Sequence, residues 1–244
     1  MMKRFIRVVM LLCVVTVLLS ALSLATIEAK AAPSSGKVFQ NPLSSTSCGQ
    51  WSVVPSPNPN VVPSGLSGVA AVSATDAWAV GTSGSQMSHG QTLIEHWDGA
   101  HWQIVKSPNP GSIYNSLYAV TAVSATNVWA VGYYVNTTGV TQTLTEHWNG
   151  TSWSVVKSPS PGSGDDLRGV AAVSANDVWA TGYTSNGSSI QTLVEHWTGT
   201  SWQVVKSPNV GTSPAFSGVA AVSAHDVWAV GHADSNTLIE HFHC

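Results

Sequence analysis

A chain of 244 residues is ample for one all-β domain, and its formal net charge of −3 comes from 9 Lys and Arg against 12 Asp and Glu. Without the first 31 residues the balance is five basic to eleven acidic groups, a net charge of −6. No basic stripe exists to neutralise phosphates, which excludes nucleic acid as the expected partner.

The chain opens on Lys3, Arg4 and Arg7, followed by an apolar run from Val8 to Leu24 and then Ala29-Lys30-Ala31. This is the pattern of a secretory signal peptide (residues 1–31) cut after Ala31. The rival reading is an uncleaved membrane anchor, because the apolar run approaches spanning length. Cys13 follows Leu12 and lacks the small residue that a lipoprotein signal places there. Residues 32–47 are rich in Ser, Pro and Gly and read as a flexible leader. Residues 48–244 read as the folded domain, secreted and monomeric, with no membrane contact after cleavage.

Self-similarity organises everything downstream. Val72-Ser-Ala-Thr-Asp-Ala-Trp78-Ala-Val-Gly81 returns at residues 123–132, 173–182 and 222–231, with the Trp positions 51, 50 and 49 residues apart. A second block, Gln91-Thr-Leu-Ile-Glu-His-Trp97, returns at 142–148 and 191–197 and in shortened form at 237–242. Each copy predicts four strands: A (68–72 in the first copy), B (77–81), C (91–97) and D (102–106). They are short Val-, Thr- and Trp-rich runs parted by turn residues. In strand C, Leu93 and Trp97 face one side and Thr92 and Ile94 the other, which suits a sheet packed between two neighbours. Four such sheets, none able to bury its faces alone, predict a four-bladed β-propeller of antiparallel blades.

Trp148-Asn-Gly-Thr-Ser-Trp153 predicts a cross-strand aromatic pair over a tight turn. With Asp-Val-Trp-Ala-Val-Gly, it resembles secreted bacterial propeller repeats related to the BNR/sialidase-like and kelch-like groups, over residues 51–242. Gly150-Thr-Ser-Trp153 and Gly199-Thr-Ser-Trp202 are similar to the end of the sialidase Asp-box, but Trp148 and Trp197 hold the place of its acid. The resemblance therefore implies the hairpin and not the enzymatic activity.

The ends of the repeat suggest how a ring would seal. Trp51-Ser-Val-Val matches strand D with no A, B or C before it, while the fourth copy reaches Phe242 with no strand D. The N-terminal strand is expected to complete blade four, which would remove two exposed sheet edges. Cys48 and Cys244 fall at the same phase of the repeat, so a Cys48–Cys244 disulfide is expected in an oxidising compartment. Two unrelated thiols are the alternative.

Each copy carries Glu-His: Glu95-His96, Glu146-His147, Glu195-His196 and Glu240-His241. Neighbours on a strand point to opposite faces, so the two cannot share one acid–base or metal site, and a structural role such as inter-blade hydrogen bonding is expected. Trp78, Trp129, Trp179 and Trp228 read as blade packing. No cofactor, metal site or catalytic residue is predicted.

Function is expected where copies differ. The A–B and C–D turns are nearly constant and share one face; the B–C and D–A connections vary and share the other. That variable face carries Met87, His89, Tyr114, Asn115, Tyr133, Tyr134, Asn136, Asp165, Asp166, Arg168, Tyr183, Asn186, Phe216 and His232. Aromatics among Asn, Asp and Ser suit recognition of a sugar or a protein. The expectation is a non-enzymatic extracellular module binding a glycan, a cell-envelope component or a surface protein. The alternatives are a polysaccharide hydrolase or lyase using Asp165 and Asp166, and a purely structural surface repeat.

Overall fold

A computed structural model describes residues 49–59, 63–85 and 89–244. The expected signal peptide (1–31), the whole of the expected leader (32–47), Cys48 and Met87 lie outside the described residues. Fifteen strands, all between Ser52 and Cys244, account for the regular structure, and no helix occurs among the described residues. Blade one contains β1 (Ser64–Ser73), β2 (Asp76–Ser83), β3 (Gln91–Trp97) and β4 (Trp102–Ile104). Blade two contains β5 (Tyr114–Ser124), β6 (Asn127–Val135), β7 (Thr141–Trp148) and β8 (Trp153–Val155). In blade three are β9 (Gly164–Ser174), β10 (Asp177–Ser185), β11 (Ile190–Trp197) and β12 (Trp202–Val205). The fourth holds β13 (Pro214–Ser223), β14 (Asp226–Ala233) and β15 (Asn236–His243).

Within each blade the strands pair antiparallel in chain order. One parallel bridge, Thr141 to Gly164, joins blades two and three. The first strand of every blade is longer than its apolar run predicts. It begins four residues earlier in blade one, and a bulge divides it at Leu66/Gly68, Leu117/Ala119, Leu167/Gly169 and Phe216/Gly218. The Gly that ends each Trp-Ala-Val-Gly run, or Trp179-Ala-Thr-Gly182 in blade three, faces that bulge. A Cβ on Gly81, Gly132, Gly182 or Gly231 would collide with the carbonyl oxygen of Gly65, Ser116, Asp166 or Ala215, so only glycine fits there.

The strands β1, β5, β9 and β13 pack side by side as the inner layer. Close approach requires small residues here too, since a Cβ on Gly169 would come within 2.9 Å of the Gly218 Cα. Three apolar layers lie between successive blades. One joins Trp78, Val80 and Ile94 to Leu117, Val128 and Leu144. Equivalent layers are built around Trp129 and Trp179. Trp78, Trp129 and Trp179 are each 1% exposed, as expected of blade packing.

The constant face forms as the repeat predicts. Trp97 and Trp102 face each other across the C–D turn with ring centroids 5.8 Å apart, and Trp148–Trp153 and Trp197–Trp202 are at 6.0 Å. Gly99, Gly150 and Gly199 take the positive φ those turns demand. Trp97 Nε1 donates to Ala74 O of the A–B turn (3.2 Å), tying the two constant turns together; Trp148 and Trp197 repeat the bond.

The expected closing strand requires correction. Ser52–Val54 adopts no strand, Val53 is 95% exposed, and β15 has no fourth neighbour among the described residues. The four inner strands form an open series in which β13 does not pack on β1 as β5, β9 and β13 pack on their predecessors. A lone strand gains no ladder until its partner edge lies at hydrogen-bonding distance, and the packing that joins the other inner strands is not repeated between β13 and β1. Cys244 is exposed, with Sγ 3.6 Å from His225 Nδ1.

Candidate functional site

The bulges position the site. One residue in each inner strand is left without a partner and is re-aimed: Ser67, Tyr118, Arg168 and Ser217. Just past the facing glycines, at equivalent positions of the second strands, stand Thr82, Tyr133, Tyr183 and His232, paired with Gly65, Ser116, Asp166 and Ala215. The large groups thus belong to blades two and three, and small or singly polar groups to blades one and four.

In blades two and three these side chains converge. The Arg168 guanidinium carbon lies 5.2 Å from the Tyr183 ring centroid and 5.7 Å from that of Tyr118, within cation–π range of both. Arg168 Nε donates to Asp166 Oδ2 at 3.3 Å. Tyr133 packs against Tyr118 and Tyr114, with centroids 5.8 Å apart in each pair. The arrangement is four tyrosines around one ion pair, with Arg168 partly open to solvent and Asp166 buried.

Burial pushes the Asp166 carboxyl up to about 6, against the opposing pull of Arg168, and its Oδ1 is buried without a partner. Burial raises Tyr118, Tyr133 and Tyr183 above the ordinary phenol range, so their hydroxyls stay protonated at neutral pH. The site offers ring faces, phenol donors, a guanidinium and a carboxylate that gains a proton under mild acid.

The other predicted residues do different work. Asn115, 2% exposed, clamps the D–A connection: its Oδ1 accepts from Gly111 N (2.7 Å) and its Nδ2 donates to Gly111 O (2.8 Å). Asp165 holds the same position in blade three and accepts from Gly162 N and the Thr184 hydroxyl. Adjacent on one strand, Asp165 and Asp166 face opposite ways, so they do not form a pair flanking one bond. Tyr134 turns away from the cluster and donates to Gln142 Oε1. Phe216 is fully buried in the core between blades three and four. His232 is exposed on blade four at the position equivalent to Tyr133 and Tyr183.

Tyr118 was missed. Reading strand A from Gly68 onward hides the bulge, although the residue before Gly-Val-Ala or Ala-Val-Thr varies as Ser67, Tyr118, Arg168 and Ser217.

The repeated Glu-His pairs divide by face. His96, His196 and His241 Nε2 pair with Asp76, Asp177 and Asp226 at 2.8–2.9 Å and pack on Trp78, Trp179 and Trp228. His147 uses Asn127 at 3.1 Å and packs on Trp129. Glu95, Glu146 and Glu195 lie on the opposite face at 0–1% exposure. Both carboxylate oxygens of Glu146 and Glu195 lack hydrogen-bond partners, so the inter-blade bonds expected of these glutamates do not form. Burial raises all three carboxyls, Glu195 to about 9. Among the described residues no group of three or more His, Cys, Asp or Glu could hold a metal ion.

No family model matches the chain, and no curated protein matches it significantly. Among solved structures it is similar to "Hadza microbial sialidase Hz136", with a TM-score of 0.51 at 11% identity over 68% of this chain and 40% of that one. It also matches "YCF48 bound to D1 peptide" (TM-score 0.36, 14% identity, 71% of this chain and 65% of that one). A further match is "YCF48 from Cyanidioschyzon merolae" (TM-score 0.37, 13% identity, 77% and 73%). The chain thus spans 40% of the sialidase it matches. That likeness is one of fold, and with the blade-by-blade topology it defines an all-β repeat protein of the β-propeller type.

Proposed function

We propose that this protein is a secreted, non-enzymatic binding module, a monomeric four-bladed ring that recognises an extracellular carbohydrate through its tyrosine face. One observation carries the reading. At structurally equal positions the repeat keeps Ser or Thr in blade one and places Tyr118, Tyr133, Arg168 and Tyr183 together in blades two and three. Repetition elsewhere is nearly uniform, so such a local departure concentrates chemistry where packing does not require it. Flat aromatic rings beside a guanidinium and a carboxylate match a pyranose, which shows C–H faces to the rings and hydroxyls to the charged groups.

The test is a glycan array comparing wild type with Arg168→Ala and Tyr183→Ala. Binding to one glycan class that both variants weaken by roughly tenfold or more is the expected result. Binding that survives both substitutions removes this face from consideration, and turnover of a polysaccharide replaces the module with an enzyme.

A further inference from the structure

A pocket opens wherever the C–D turn of one blade meets the chain that leaves the last strand of the blade before it. Between blades one and two its volume is about 390 Å³, and its walls include Lys106, Pro108, Trp148, Thr151, Ser152 and Trp153. Between blades two and three it is about 420 Å³, with Lys157, Pro159, Trp197, Thr200, Ser201 and Trp202 at the same places. These volumes fall towards the lower end of the roughly 300–1,000 Å³ of small-molecule sites. Trp148 and Trp197 are half-buried, so each indole keeps part of its surface open.

The polar groups of these pockets are unspent. Lys106, Lys157 and Lys206 are the only lysines among the described residues, each four places after the Trp that opens its strand. None of them forms an ion pair or a hydrogen bond there. Although acidic groups outnumber basic ones in the chain, no Asp or Glu lines either pocket. Asn149 Oδ1 holds its turn by accepting from Thr151 N and Ser152 N, and Thr198 closes the next turn on Ser201 O. The hydroxyls of Thr151, Ser152, Thr200 and Ser201 take no hydrogen bond among the described residues.

Lysine and hydroxyls also vanish together. Val54 and Ser56 lie beside Trp102 in the cavity against blade one, as Val105 and Ser107 lie beside Trp153. There Pro55 stands where the lysine would, and the turn of blade one carries Ala100 and His101 in place of Thr and Ser. An edge strand is kept soluble by a lysine anywhere along it, yet here the lysine recurs beside the paired indoles and only where the hydroxyls accompany it.

We propose that these two junction pockets bind an anionic polysaccharide, one acidic pyranose in each. The Lys106 or Lys157 ammonium takes the acid group, the Trp148 or Trp197 indole receives the C–H face of the ring, and the Thr and Ser hydroxyls meet the sugar hydroxyls. An acidic peptide would use the lysine but has no call on the indole and hydroxyls together. Two open pockets of the same kind suit a polymer with a repeating acid group, since engaging both raises the binding of either by about 10²–10⁴-fold.

The inference goes beyond the tyrosine face and stands independently of it, since the two share no residue. Its test is equilibrium binding of the full chain to polygalacturonate, fully methyl-esterified polygalacturonate, dextran sulfate and polyglutamate at physiological ionic strength. Binding to polygalacturonate with none to its ester assigns a carboxylate, and binding to dextran sulfate alone assigns a sulfate. Lys106→Gln with Lys157→Gln is expected to weaken that binding by roughly tenfold or more. Thr151→Val with Thr200→Val, which keeps every charge, is expected to weaken it by about fivefold. All four positions are exposed, so the fold survives both pairs of substitutions. Binding to neither anionic polysaccharide, or binding that the lysine pair leaves unchanged, overturns the proposal. Equally tight binding to polyglutamate overturns it in favour of an acidic protein.

Discussion

Trp129 and Trp228 occupy the same place in the repeat, pack on His147 and His241, and sit in nearly the same local sequence. One is 1% exposed and the other 43%. The blade supplies the strand, the stacking histidine and the turn; burial comes only from the next blade, through rings such as Trp197 and Trp202. An array of this kind stores its stability in interfaces, and an uncovered terminal face is where stability and partnership are both decided.

The largest test of that contrast concerns the ends. Peptide mapping without reduction is expected to find Cys48 joined to Cys244. Cutting that link should cost about 4–5 kcal/mol in the chain-entropy treatment, read from denaturant unfolding with and without reductant. Two unmodified thiols would sink the link. Next in size, Trp129→Ala is expected to cost about 3–5 kcal/mol. With the ring closed, Trp228→Ala should cost nearly as much; a loss below about 1 kcal/mol would return the open series.

The buried glutamates sharpen the same contrast through pH. Glu195 has its folded pKa raised to about 9 by burial, above the unfolded value, so the folded state holds this proton more tightly. Its contribution is therefore fully retained below pH 4.5 and lost as pH rises from 4.5 towards 9. Glu195→Gln should raise Tm above pH 7 and leave it unchanged near pH 4, a profile readable by calorimetry. Glu240, at the open end, is raised by burial as well but keeps more contact with water, so Glu240→Gln should give the weaker version.

The smallest stability effect belongs to the tyrosine cluster. Arg168→Ala should cost less stability than the core tryptophan substitutions, since Arg168 is partly exposed and Asp166 can take up a proton when its partner is lost, while weakening glycan binding by roughly tenfold or more. With Asp166 near 6, binding by the wild type should change across pH 5–7, and Asp166→Asn should flatten that profile.

Much of the outer layer was legible in the residues themselves. The Trp-Ala-Val-Gly run, the paired Trp around Asn-Gly and the constant turns predict strands and faces by local rules, and the structure places them accordingly. The site was legible only in part. Tyr114, Tyr133, Asp166, Arg168 and Tyr183 do gather, but Asn115 and Asp165 are clamps, Phe216 is core, and Tyr118 escaped notice. The cause is the bulge: one extra residue shifts every side chain before it to the other face, and alternation cannot reveal where that occurs.

The amino-acid sequence by itself determined the repeat, its strand and turn chemistry and the division into a constant and a variable face, because each depends on residues within one copy. Tertiary structure alone decided which variable residues meet, which glutamates are stranded between blades and which aromatic faces stay uncovered. Those properties belong to contacts between copies, where a bulge or a missing neighbour changes burial without changing the local pattern.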